Sequence, residues 1–215
     1  MKTLKQKLVA PLLFTVAFSA WTIALRLIDV QAIGPDGSRV GLATLNRFFH
    51  ELTGVHFSLY ILTDWLGLIP FGICAVFGAL GLLQWIKHRD LRKVDRDLLL
   101  LGGFYLAVIA CYGLFEVVVI NYRPILIEGV REASYPSSTT MLSLCVSLTA
   151  AMQVRTRVRQ TGFRRLLVGV IIAFATFMVV TRAVCGVHWL SDIIGGVLLS
   201  LALITAYNAC ASDLI

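Results

Sequence analysis

The sequence predicts an all-α polytopic membrane protein, with six transmembrane helices in one bundle and an amphipathic helix at the interface in the first outer loop. Three observations predict it. Only 14% of the residues are charged and mean hydropathy is +0.84, whereas soluble domains carry about a quarter charged residues. Six apolar runs approach the roughly 20 residues that span a bilayer core. The basic residues alternate with those runs, so that 13 of the 19 fall on one side of a six-span arrangement.

The runs cover residues 8–28, 62–86, 98–120, 139–154, 166–184 and 190–209. The fourth is short, and the second carries Asp64 near its start. The first follows Lys2, Lys5 and Lys7, a pattern shared with cleaved signal peptides, but it lacks a small-x-small cleavage site and reads as a retained helix. Lys87, Arg89, Arg92, Lys93 and Arg96 follow the second run. Arg155, Arg157, Arg159, Arg164 and Arg165 follow the fourth. The positive-inside rule makes that side cytoplasmic, with both termini inside and the chain in the cell membrane. The net charge of +7 is therefore topological, and no nucleic-acid partner is expected. Within the connector, "KHRDLRKVDRD" at 87–97 alternates in sign and reads as solvated. Cys74, Cys111, Cys145, Cys185 and Cys210 form no C-x-x-C pair and read as small buried hydrophobes. With no repeat, linker or composition shift, residues 1–215 read as one domain.

Three segments then face outward. Residues 29–61 hold the turn cluster "IGPDGSRVG" and the piece "LNRFFHELTGVHFSLY", an amphipathic helix suited to the outer interface. His50 and His56 in it read as bystanders more readily than as headgroup contacts. Residues 121–138 read "NYRPILIEGVREASYPSS". Arg123 sits where the third run ends, and Pro124 cannot continue a helix. Pro136 precedes the fourth run, with Ser137, Ser138 and Thr139 at its head as cap and first turn. Ordinary capping alone satisfies Ser137 or Ser138, although a helix N-terminus also suits an anion.

The third segment, "TRAVCGVHWLSDIIGG" from Thr181, is the most specific. Arg182 ends the fifth helix and His188 opens the sixth. Asp192 follows four residues later, on the same helical face. A carboxylate bonded to one imidazole nitrogen sets the tautomer and makes the other nitrogen a better nucleophile. A membrane-buried ion pair joining two helices is the plainer reading, but ionisable groups inside a membrane are functional by default. His188 and Asp192 lack a clear third and fourth metal ligand, so no metal or cofactor is expected. Two arginines suited to phosphate, a helix start and a carboxylate-backed imidazole point to phosphoryl chemistry at the outer face.

These residues resemble the type 2 phosphatidic acid phosphatase superfamily of integral-membrane lipid phosphatases. Its motifs are K-x6-R-P, P-S-G-H and S-R-x5-H-x3-D. The third appears as Thr181, Arg182, His188 and Asp192, with Thr for Ser; the first appears at Arg123 and Pro124; the second appears at Pro136 and Ser137. Order, spacing and membrane context agree over roughly residues 100–205. The resemblance implies a metal-independent reaction through a phosphohistidine on His188, oriented by Asp192. It also implies phosphate binding by Arg123, Arg182, Ser137, Ser138 and nearby N–H groups.

Two positions depart from the pattern. Glu116 stands where the family has Lys, and Thr139 stands where it has the His that protonates the leaving group. A hydroxyl cannot replace an imidazolium as an acid near neutral pH. The expected function is thus a lipid phosphatase or pyrophosphatase, with a polyprenyl diphosphate suited by its more acidic leaving group. A lipid phosphoryl or headgroup transferase on the same scaffold, and a non-catalytic phospholipid-binding or transport protein, are the alternatives.

Overall fold

The computed structural model describes residues 4–212; Lys2 lies outside them. In chain order the helices are α1 (Leu4–Leu27), α2 (Ala43–Thr53), α3 (Phe57–Leu66), α4 (Leu68–His88), α5 (Arg96–Val117), α6 (Ser138–Arg157), α7 (Thr161–Val184) and α8 (Leu190–Ala211). A two-stranded antiparallel hairpin, β1 (Gln31–Ala32) and β2 (Arg39–Val40), precedes α2. Five spans among the described residues are long and apolar enough to cross a membrane: α1, the α3–α4 pair, α5, α7 and α8.

The expected fourth span, α6, is not among the five. It is long enough, at 20 residues, but carries Ser143, Ser147, Thr149 and Gln153. The reason is its position. It packs chiefly against α7 and α8, and also against α4 and α5, so protein rather than lipid surrounds it. Small hydroxylated residues let helices approach closely there, and Thr149 returns its own hydroxyl to the Cys145 carbonyl at 2.7 Å. Its Met141 and Cys145 join Leu101, Phe104, Leu199 and Tyr207 in the apolar core. Of the five cysteines, Cys145 and Cys185 are buried, Cys74 and Cys111 partly so, and Cys210 is exposed.

Two differences in helix boundary from the sequence reading shape the site end of the bundle. The amphipathic piece expected over residues 45–60 is split, because Gly54 (φ +70°) ends α2 and the His56 N–H bonds to the Cys185 carbonyl at 2.9 Å. The next helix therefore starts at Phe57, before the expected start at Leu62. Gly67 interrupts it only slightly, its N–H still reaching the Thr63 carbonyl at 2.9 Å. The resulting 32-residue span is about 48 Å long at 1.5 Å per residue, well beyond the roughly 30 Å of hydrocarbon. Its first turns bring Tyr60 and Thr63 to the level of the site described below. The second difference is α5, which ends at Val117 rather than near Ile120. Pro124 does not end it; the backbone leaves the helical conformation at Val118 (ψ 78°) and enters a hairpin-like loop.

α2 keeps one face on the bundle and one free. Asn46 on the inner face is fully buried, accepting from the Ser191 N–H at 3.0 Å and donating to Ser191 Oγ and the Gly41 carbonyl. Phe48 and Leu52 on the outer face are exposed. At the opposite end of the bundle, the 87–97 connector is more than a solvated link. Arg157 Nη2 meets Asp97 Oδ2 at 2.6 Å and Nη1 meets Asp95 Oδ2 at 3.3 Å, while Gln84 holds Asp95 from α4.

Candidate active site

The site is assembled from three segments at one end of the bundle. Residues 121–134 double back as a hairpin: Tyr122 bridges Ala133, the Ser134 N–H bonds to the Asn121 carbonyl at 2.9 Å, and the Arg123 N–H bonds to the Glu132 carbonyl at 3.1 Å. Its tip turns at Glu128 and Gly129, both at positive φ, the twist that favours tight hairpins. Arg123 and Ser134 are thereby neighbours at its base. The last turn of α7 supplies Arg182. The chain then turns at Gly186 (φ +76°), where a Cβ would collide with the Gly54 carbonyl, and delivers His188. The start of α8 supplies Asp192, whose Oδ2 accepts the Trp189 N–H at 2.9 Å.

His188 and Asp192 do not share a helical face as the spacing suggested. His188 precedes the helix, because Trp189 is the N-cap and Asp192 caps it in return. His188 Nδ1 lies 4.0 Å from Asp192 Oδ2, too far for a hydrogen bond. The buried Ser134 hydroxyl stands between them, 2.5 Å from Asp192 Oδ2 and 3.0 Å from His188 Nδ1. Asn121 Nδ2 donates to Asp192 Oδ1 at 3.0 Å.

The other imidazole nitrogen faces cations. Arg123 Nη1 approaches His188 Nε2 at 3.4 Å. A guanidinium only donates, so Nε2 is the acceptor and Nδ1 carries the proton. Burial, then the fields of Arg123 and Arg182, hold this imidazole well below its ordinary pKa of 6.5. It is neutral near pH 7, with its Nε2 lone pair turned toward Arg123 and within the field of Arg182.

The arginines differ in their company. Arg123 Nε lies 2.9 Å from Glu132 Oε2 at the rim of the site. Arg182 is 1% exposed. Its Nη1 donates to Thr63 Oγ1 at 3.1 Å, and its guanidinium lies over the Tyr60 ring at 5.1 Å. Arg123 reaches the same ring at 5.9 Å. Among the described residues no carboxylate lies within ion-pairing distance of Arg182. An aromatic face and a hydroxyl steady a cation without neutralising it, so the pair retains positive charge beside Nε2.

The remaining positions fall around this centre. Ser137 is the N-cap of α6: its Oγ accepts the Thr140 N–H at 3.4 Å and its own N–H bonds to the Asp192 carbonyl at 3.0 Å. Ser138 and Thr139 are half-buried and line a cavity of about 500 Å³, together with Asp64, Leu68, Phe71 and Tyr112. Glu116 is exposed at the end of α5 and borders a small crevice with Ser134 and Ser138. His50 packs edge-on against Trp189 with ring centroids 5.5 Å apart, and burial lowers its pKa. His56 turns to the Thr53 carbonyl. Among the described residues no three His, Cys, Asp or Glu side chains gather as metal ligands.

Sequence reasoning missed Ser134, Asn121, Tyr60 and Thr63. For Ser134 and Asn121 the only available signal was their place in a polar segment flanking Arg123 and Pro136. Tyr60 and Thr63 carry none, Tyr60 ending the amphipathic interfacial piece and Thr63 lying in an apolar span.

The PAP2 superfamily model matches residues 71–215. The crystal structure of a transmembrane PAP2-type phosphatidylglycerolphosphate phosphatase from Bacillus subtilis superposes with a TM-score of 0.57 at 16% sequence identity, covering 95% of this chain and 96% of that one. No curated protein sequence matches.

Proposed function

The chain belongs to the PAP2 superfamily, and from that premise we propose that it is a membrane lipid phosphatase or pyrophosphatase acting through His188. The observation that carries this reading is the neutral Nε2 lone pair of a buried histidine directed at the Arg123 guanidinium, within the field of a second buried guanidinium, Arg182, that has no carboxylate partner among the described residues. A phosphoryl group held by Arg123 and Arg182 lies within reach of Nε2. In-line attack forms the N–P bond, breaks the P–O bond and sends the electron pair to the leaving oxygen. Water then cleaves the N–P bond and frees the histidine. Charge on the equatorial oxygens is stabilised by the preorganised donors. The reaction needs no metal.

The substrate is a lipid mono- or diphosphate, with its apolar chain beside α4 and α5, where the 500 Å³ cavity bordered by Ser138 and Thr139 is mostly apolar. Thr139 in place of an acid favours a diphosphate, whose leaving group needs less protonation. In the membrane the chain forms one domain with six spans, α6 being the enclosed one. Both termini are cytoplasmic and the site lies on the outer face, a reading supported by the basic residues of the opposite end. The exposed Phe48 and Leu52 of α2 rest in the outer interface.

The test is phosphate release by purified protein from a panel of lipid mono- and diphosphates without added metal, with His188→Ala as control. Release by the native protein alone supports the reading. Binding of these lipids without turnover by any variant favours the non-catalytic alternative. Transfer of phosphate to a lipid alcohol in preference to water favours the transferase.

A further inference from the structure

We infer that Ser134 is a positioning residue of this site, its hydroxyl being the link through which Asp192 orients and supports the His188 imidazole. The inference rests on the reading of His188 as nucleophile.

The donor and acceptor inventory leaves one arrangement. Arg123 can only donate to Nε2, so the ring proton sits on Nδ1. Ser134 Oγ, at 3.0 Å, is within hydrogen-bond range of that proton, whereas Asp192 Oδ2, at 4.0 Å, is not. A hydroxyl that accepts there still has its own proton to place. It donates to Asp192 Oδ2 at 2.5 Å, a short contact suited to a charged acceptor. The chain therefore runs from Nδ1–H to Ser134 Oγ–H to Asp192.

Each part of that chain is held. The Ser134 N–H is bonded to the Asn121 carbonyl, and Asn121 Nδ2 is bonded to the other carboxylate oxygen at 3.0 Å. The two residues at the base of the hairpin thus grip one carboxylate. The Trp189 N–H occupies it from the third side at 2.9 Å. With its partners in place, Asp192 cannot approach the ring without breaking them. As Nε2 bonds to phosphorus, the imidazole becomes cationic while Nδ1 keeps its proton. Ser134 then conveys the stabilisation by Asp192 with no net proton movement.

Purified full-length protein carrying ¹⁵N-labelled histidine tests this, with the His188 signals assigned by their loss in His188→Ala. In the native protein the expected state is neutral, with the proton on Nδ1 alone. In Ser134→Ala the Nδ1–H preference should weaken toward a mixture of tautomers, while Ser134→Thr retains it. Turnover should fall by roughly 10²–10⁴-fold in Ser134→Ala, with KM changing far less than kcat. Ser134→Thr should recover a large part of the loss. Ser134→Ala combined with Asp192→Asn should be no worse than the poorer single variant, since both break one chain. An unchanged tautomer in Ser134→Ala, or losses that multiply in the double variant, would show that Asp192 serves His188 without Ser134 and overturn the inference. If the native protein hydrolyses no lipid phosphate, the functional proposal fails, and the tautomer measurement still decides the role of Ser134.

Discussion

Arg182 and Arg157 sit at opposite ends of the bundle and show two ways of holding a guanidinium. Arg157 is about a third exposed and meets three side chains, with Asp97, Asp95 and the Gln153 carbonyl oxygen all within 3.3 Å. Arg182 is buried to 1% exposure and meets Thr63 and the Tyr60 ring, both neutral. Burial without a counter-charge is the costlier arrangement. The cheaper one clamps α5 to α6. The costlier one leaves uncompensated positive charge near His188, and that difference separates the scaffold from the proposed site.

The comparison breaks most sharply at the site end. His188→Ala should abolish phosphate release, because it removes the imidazole nitrogen that faces Arg123. Arg182→Lys should follow with a loss on the order of 10²–10³-fold, the usual effect of removing an aligned oxyanion donor, since an ammonium lacks the planar fork. Near-native kcat/KM in Arg182→Lys would show that Arg182 is structural, like Arg157.

A gain is expected at Thr139. Thr139→His should raise hydrolysis of an alkyl monophosphate by about tenfold or more, as general acids contribute about 10²–10⁴-fold when well placed, and should change diphosphate hydrolysis less. Glu116→Lys should add to it by attracting phosphate. Both substrates must be assayed on each variant. Equal rates on the two in the native protein, unmoved by Thr139→His, would assign the proton to another group.

The pH profile sharpens the same contrast. The pKa of His188 is depressed below 6.5 by burial and by the two cations, so the neutral imidazole that the proposed reaction uses persists as pH falls through 6.5. An unshifted imidazole would lose about threefold of its neutral form between pH 7 and pH 6. Corrected for substrate ionisation, kcat/KM should fall by less than that over this range. By linkage, the same depressed pKa contributes stability above pH 6.5 that is lost as pH drops through and below that value. A full threefold decline would mean that the arginines do not act on the ring.

The smallest effect is expected at the clamp. Arg157→Ala removes partly exposed ion pairs worth no more than about 1 kcal/mol each. Thermal unfolding should shift down by a few degrees while kcat/KM stays near native. A large loss of turnover would tie the two ends together and dissolve the distinction.

The sequence alone determined the residues whose relationships are local or carried by composition. The apolar runs, the basic end and the short interval holding Arg182, His188 and Asp192 could all be read along the chain, because span length and near-neighbour spacing are one-dimensional properties. The enclosed character of α6 was less legible. Its Ser and Thr residues lower its apolarity for a reason that lies in α7 and α8, not in α6. Only the tertiary structure decided who stands between His188 and Asp192. Ser134 is far from both in the chain and comes to them through the 121–134 hairpin; Tyr60 and Thr63 come to Arg182 from the surplus turns of a span longer than the hydrocarbon. Even the His188–Asp192 spacing, which suggested direct contact on a helix, served instead to cap that helix. Hydrogen-bond partners are set by distances in space, and a hydroxyl in a loop carries no periodicity that announces where its proton will go.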